Sequence, residues 1–189
     1  MRPLPILAAL AVATALPASA QVQPGATAPD FTTVGALAGK QFRLNLKAQL
    51  KKGPVVLYFY PMSFTPGCSA EAQAFAAATP DFKAAGATVI GMAADDIEKL
   101  KDFSTKDCAS KFAVARATPE IIRGYDVALK RNGTETGLAS RTSFVIAPDG
   151  KVVTANVPSW PAWSGRRWHR IEADAYADGN ESDHQALTL

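Results

Sequence analysis

The sequence predicts an α/β domain in which a central mixed β-sheet is flanked by helices. Three observations point that way. Residues 53–60 (GPVVLYFY) and 86–94 (GATVIGMAA) are apolar runs without polar alternation, the mark of strands buried on both faces. A helix-forming stretch follows each run, and strand–helix–strand units build sheets covered by helices. The chain has 189 residues, 48% of them hydrophobic and 20% charged, which suits a single domain with a substantial core.

Residues 1–20 are read apart from the domain, as a signal peptide. Arg2 lies near the start, residues 6–16 are apolar, and Ala18-Ser19-Ala20 supplies a small-residue cleavage pattern. The apolar stretch is shorter than the roughly 20 residues that span a bilayer. No cysteine follows the cleavage pattern, which argues against a lipid anchor. The expected destination is a bacterial periplasm or the exterior. Residues 21–157 are read as the domain and residues 158–189 as an atypical, partly disordered C-terminal tail holding all three tryptophans and both histidines.

Within the domain, residues 31–34 and 41–44 are β-prone with glycines between them, a hairpin pattern. Residues 53–60 give the first buried strand, and the alanine-rich AEAQAFAAA after Cys68 gives a helix. Residues 86–94 give the second buried strand. Residues 95–108 (DDIEKLKDFSTKDC) are amphipathic, with Asp95 or Asp96 as N-cap and Ile97, Leu100 and Phe103 on the apolar side. KFAVA reads as a short strand and TPEIIRGYDV as a short helix. Residues 141–157 (RTSFVIAPDGKVVTANV) read as a hairpin turning at Pro148-Asp149-Gly150.

The formal net charge of +3 and the absence of any block of like charges give no basis for a nucleic-acid partner or a membrane surface. Chemistry therefore has to be sought in single residues. The chain has two cysteines, Cys68 and Cys108. In an oxidising compartment two cysteines most often form one structural disulfide. The setting of Cys68 suggests otherwise. Thr65 is a natural N-cap and Pro66 suits the first helical position, so Cys68 falls at the third. There the unpaired backbone N–H groups and the helix dipole favour negative charge, and the thiolate is the nucleophilic form of cysteine.

Acyl transfer by cysteine normally needs a histidine base, and His169 and His184 both lie in the tail. No Cys/His cluster at ligand spacing suggests a metal. Disulfide exchange usually uses C-x-x-C, but the residue three after Cys68 is Glu71. Attack on a peroxide O–O bond, giving a sulfenic acid, needs only an oriented thiolate and positive charge. Two other readings stay open: a disulfide oxidoreductase, and a secreted, non-catalytic domain stapled by a Cys68–Cys108 disulfide.

The segment YFYPMSFTPGCSAEAQAF carries P-x-x-x-T-x-x-C as Pro61, Thr65 and Cys68, and resembles the active-site loop of peroxiredoxins. It is most similar to the Q type, the bacterioferritin comigratory protein group. The similarity extends from PGATAPDFT through GATVIGMAADDIEKLKDFS to RTSFVIAPDGKVV. The resemblance implies a thioredoxin-like fold and a thiol-dependent peroxidase without a cofactor. It makes Cys68 the peroxidatic cysteine, Thr65 a hydrogen-bond donor to thiolate and peroxide, Pro61 a shield for the pocket, and Arg141 the cation that holds the thiolate. Arg116, Arg123 and Arg131 are expected to be surface charges. Many Q-type members place a resolving cysteine five residues after the first, where this chain has Gln73. Some carry it on the following helix, and Cys108 resembles that variant if the helix begun at Asp96 continues so far. The implied partners are a peroxide substrate and a thioredoxin-like protein reductant, and the implied state is a monomer.

Overall fold

A computed structural model describes residues 22–155, so the signal peptide read in residues 1–20 and the tail read in 158–189 lie outside the described residues. Strand β3 (Val55–Phe59) is buried along its whole length. It pairs in parallel with β4 (Thr88–Ala93) on one side and antiparallel with β8 (Thr142–Ile146) on the other. Strand β4 pairs in parallel with β5 (Ala113–Arg116), and β5 is antiparallel to β1 (Thr32–Leu37). With β2 (Lys40–Asn45) and β9 (Val152–Thr154) at the edges, the order is β2-β1-β5-β4-β3-β8-β9, a mixed sheet of seven strands.

Side chains along a strand alternate between faces, and β3 divides accordingly. Val55, Leu57 and Phe59 join one apolar cluster, while Val56, Tyr58 and Tyr60 join the other. The first cluster is completed by Leu46 and Leu50 of α1 (Leu46–Leu50) and by Ile121 and Ile122 of α4 (Pro119–Gly124). The second takes Ala72, Phe75 and Phe82 from α2 (Pro66–Ala84), and Leu100 and Phe103 from α3 (Ile97–Lys106). Helices on both faces explain why β3 and β4 lack polar alternation.

The local signals are satisfied in detail. Asp96 caps α3 by accepting a hydrogen bond from the Lys99 amide at 2.9 Å, and Thr118 Oγ1 accepts from the Ile121 amide at the start of α4. Ala38 and Gly39 turn the first hairpin with φ of 50° and 75°, both positive as in the type I′ turns favoured by two-residue connections.

Several features depart from the sequence reading. Helix α1 was not anticipated: at five residues it is too short to show a period, although Asn45 caps it through the Ala48 amide. A second hairpin, β6 (Ala128–Arg131) with β7 (Thr134–Ala139), turns at Asn132-Gly133 with φ of 50° and 79°. Its strands are mostly exposed, so they carry no apolar pattern, although Asn-Gly is itself a hairpin signal. Helix α3 ends at Lys106, so Cys108 stands beyond it rather than on it. The Asp107 and Cys108 amides both bond to the Phe103 carbonyl, and Ala109 and Ser110 then take left-handed φ of 48° and 58°. Without glycine or asparagine after Lys106, the sequence offered no stop signal there.

Candidate active site

The site lies where β3 gives way to α2. Tyr60 continues the ladder one residue past the strand, its amide bonded to the Met92 carbonyl at 3.0 Å. Pro61, half-buried, then turns the chain into a short loop. Buried Ser63 anchors this loop: its amide donates to Asp95 Oδ2 at 2.7 Å and its hydroxyl lies 3.2 Å from Tyr60 Oη. Asp95 in turn pairs with Lys99 at 2.8 Å. Phe64 follows with φ of 65°, a conformation disfavoured for a bulky side chain. Its ring stands edge-on to Phe103 at 5.2 Å, with Lys106 Nζ 5.7 Å from its centroid.

Helix α2 then opens with Thr65 as N-cap and Pro66 as its first residue. The Thr65 hydroxyl does not cap the helix; it donates to the Met62 carbonyl at 3.1 Å. Cys68 is 2% exposed and faces the second apolar cluster, yet its sulfur is not without polar company. Arg141, immediately before β8, donates from Nη2 to Cys68 Sγ at 3.2 Å. Its Nη1 donates to Glu71 Oε2, closing a Cys68–Arg141–Glu71 triad. The Glu71 side chain is 4% exposed and that of Arg141 31%, so the guanidinium bridges a buried carboxylate and solvent. A buried carboxylate is tolerable only when paired, and here it aims the guanidinium at the sulfur.

Cys108 is fully buried in the same apolar cluster as Cys68, and both thiols are free. Burial, helped by the neighbouring Asp107 charge, pushes the Cys108 thiol well above the ordinary cysteine range. Burial likewise raises the phenols of Tyr58 and Tyr60 well above theirs. Gln73 Nε2 donates to Asp107 Oδ1 at 3.2 Å, and Ser69 Oγ donates to Asp107 Oδ2 at the same distance. Among the described residues no cluster of three or more His, Cys, Asp or Glu side chains could hold a metal.

The model of the AhpC/TSA family matches residues 24–155. The chain belongs to the AhpC/TSA family of peroxiredoxins. It is 29% identical over 126 residues to peroxiredoxin Bcp of Xanthomonas campestris, covering 66% of this chain and 71% of that protein. It is 40% identical over 132 residues to the chloroplastic peroxiredoxin Q of Oryza sativa subsp. japonica, covering 70% of this chain and 58% of the rice protein. Peroxidoxin BcpB of Mycobacterium tuberculosis superposes with a TM-score of 0.68 at 26% identity, over 85% of this chain and all of that one. Xanthomonas campestris peroxiredoxin Q gives 0.63 at 28% identity, over 84% and 96%. The thioredoxin-like fold and the Q-type resemblance read from the loop motif agree with these relatives, and the chain is an enzyme of the thiol-dependent peroxidase class.

In this peroxiredoxin the structure brings Cys68 and Arg141 together, residues 73 positions apart in sequence. Thr65 and Pro61 flank them in the loop. Arg116 and Arg131 are exposed, and Arg123 pairs with Glu120 at 3.5 Å on the surface. Glu71 was missed. The sequence reading noted it only as the residue that spoils a C-x-x-C motif. Its position three residues after Cys68, on the same helical face, was the available signal.

Proposed function

We propose that this peroxiredoxin reduces hydrogen peroxide and organic hydroperoxides through a sulfenic acid on Cys68, which Cys108 then resolves as a disulfide. The Cys68 thiolate attacks one peroxide oxygen, an S–O bond forms, the O–O bond breaks, and the departing alkoxide or hydroxide takes up a proton. Arg141 offsets the negative charge on sulfur before attack and on the leaving oxygen during it. Glu71 holds that guanidinium in place. A solved structure of Xanthomonas campestris bacterioferritin comigratory protein is described in terms of alkyl peroxide reduction, which supports the organic substrate.

In the second stage the Cys108 sulfur attacks Cys68, an S–S bond forms, and the hydroxyl leaves as water. A thiol kept protonated by burial is a weak nucleophile, so the cysteine segments have to open before this step. A thioredoxin-like dithiol then reduces the disulfide. The signal read in residues 1–20 supports placing the cycle in the periplasm or outside the cell, and the Q-type resemblance supports a monomer.

The observation that carries this reading is the 3.2 Å contact from Arg141 Nη2 to a cysteine at the N-terminus of α2. Treating reduced protein with one equivalent of peroxide and digesting it tests the second stage. A Cys68–Cys108 peptide in mass spectrometry supports resolution, whereas a persistent Cys68 sulfenic acid rules Cys108 out as the resolving residue.

A further inference from the structure

Asp107 lies one residue past the end of α3 and one residue before Cys108. Its carboxylate accepts from Ser69 Oγ and Gln73 Nε2, each at 3.2 Å, and both donors belong to α2. Ser69 directly follows Cys68. These two bonds therefore fasten the residue after one cysteine to the residue before the other, across 38 positions of sequence. Ser69 belongs to the first turn of α2, and its own amide bonds to the Thr65 carbonyl at 2.8 Å. Any unwinding that carries Cys68 away from Arg141 has to break the Ser69–Asp107 bond as well. The turn after Cys108 is under opposite stress, because Ala109 and Ser110 both hold left-handed φ, of 48° and 58°, without being glycine. One side of the cysteine pair is clasped and the other is strained.

We propose that Asp107 is a positioning residue whose clasp on Ser69 and Gln73 sets how often the Cys68 turn opens, and so divides oxidised Cys68 between disulfide and overoxidation. This rests on the resolution by Cys108 proposed above. With the turn open, the Cys108 sulfur attacks the Cys68 sulfenic acid, the S–S bond forms and the S–O bond breaks, releasing water. With the turn closed, the Cys68 sulfenate attacks a second peroxide. Another S–O bond then forms, the O–O bond breaks, alcohol or water leaves, and the sulfur becomes a sulfinate. A tighter clasp favours the second fate.

The test compares the wild type with Asp107→Ala, with the double variant Ser69→Ala/Gln73→Ala, and with the triple variant. Quenched-flow mass spectrometry gives the rate of disulfide formation after one equivalent of hydrogen peroxide, and the sulfinate fraction per turnover under excess peroxide and dithiothreitol. Losing two hydrogen bonds to a partly exposed carboxylate predicts disulfide formation about fivefold faster in the double variant, with a correspondingly smaller sulfinate fraction. The double variant keeps the Asp107 charge beside Cys108, so its gain reports the clasp alone. The triple variant should match Asp107→Ala, because the same bonds are then lost only once. Amide hydrogen exchange in the first turns of α2 should rise in every variant of the reduced protein.

An unchanged or slower disulfide rate in the double variant overturns the proposal, as does a triple variant whose gain is the product of the other two. If the wild type forms no disulfide at all, the resolving role of Cys108 fails instead. Hydrogen exchange then decides the clasp by itself, and exchange unchanged by Asp107→Ala overturns it.

Discussion

Replacing Arg141 with methionine separates what the guanidinium does for the fold from what it does for the sulfur. The change leaves Glu71, whose side chain is 4% exposed, without its cation. Breaking a buried ion pair from one side costs about 3–5 kcal/mol. The Arg141 side chain is 31% exposed, so water already weakens the pair, and a loss of about 2–3 kcal/mol is the better expectation. Changing Glu71 to leucine in the same protein removes the stranded carboxylate and fills its place with apolar volume. Arg141→Met/Glu71→Leu should therefore regain most of the stability. It should not regain reactivity, because the charge-assisted hydrogen bond to Cys68 is still missing, a loss worth about 100- to 1,000-fold in rate. Urea denaturation measures the first quantity and stopped-flow oxidation by hydrogen peroxide the second. If reactivity returned together with stability in the double variant, Arg141 would be only a structural partner of Glu71, and the electrostatic account of the site would be wrong.

Two further outcomes follow from buried groups. Burial raises the Cys108 thiol, so folding holds its proton where the unfolded chain releases it. That contribution is complete below the unfolded cysteine pKa of about 8.5 and is lost as pH rises above it, by up to about 1.4 kcal/mol per pH unit. Denaturation of reduced protein across this range should show the wild type losing stability more steeply than Cys108→Ala, and parallel curves would refute the burial argument. Tyr58 Oη is buried and has no hydrogen-bond partner among the described residues. Tyr58→Phe should be neutral or stabilising by up to about 1 kcal/mol, and a loss of more than that in thermal melts would show that the hydroxyl has a partner.

The parts of the molecule that were legible in the sequence are those whose residues carry their own local reason. The buried strands β3 and β4 announce themselves by unbroken apolar runs, and the start of α2 by Thr65 and Pro66. Cys68 is conspicuous for the same cause, a thiol set on a helix N-terminus. Arg141 could be picked out only through the family's motif, because nothing in the residues around it reveals that β8 lies beside β3. Glu71 was overlooked because an acid inside a helix normally faces water; only the tertiary contact with Arg141 makes it a buried one. The position of Cys108 depended on where α3 stops, and a stop built from left-handed alanine and serine has no sequence signature. The β6–β7 hairpin was missed for lack of an apolar face, although Asn132-Gly133 marks its turn.

The most direct test of the central claim is stopped-flow reaction of reduced protein, residues 21–189, with hydrogen peroxide, run beside Cys68→Ser and Cys108→Ser. The account predicts a fast second-order oxidation that disappears in Cys68→Ser and survives for a single turnover in Cys108→Ser. A rate no greater than that of a free thiol, unaltered by either substitution, would contradict it and make the cysteine beside Arg141 a structural one.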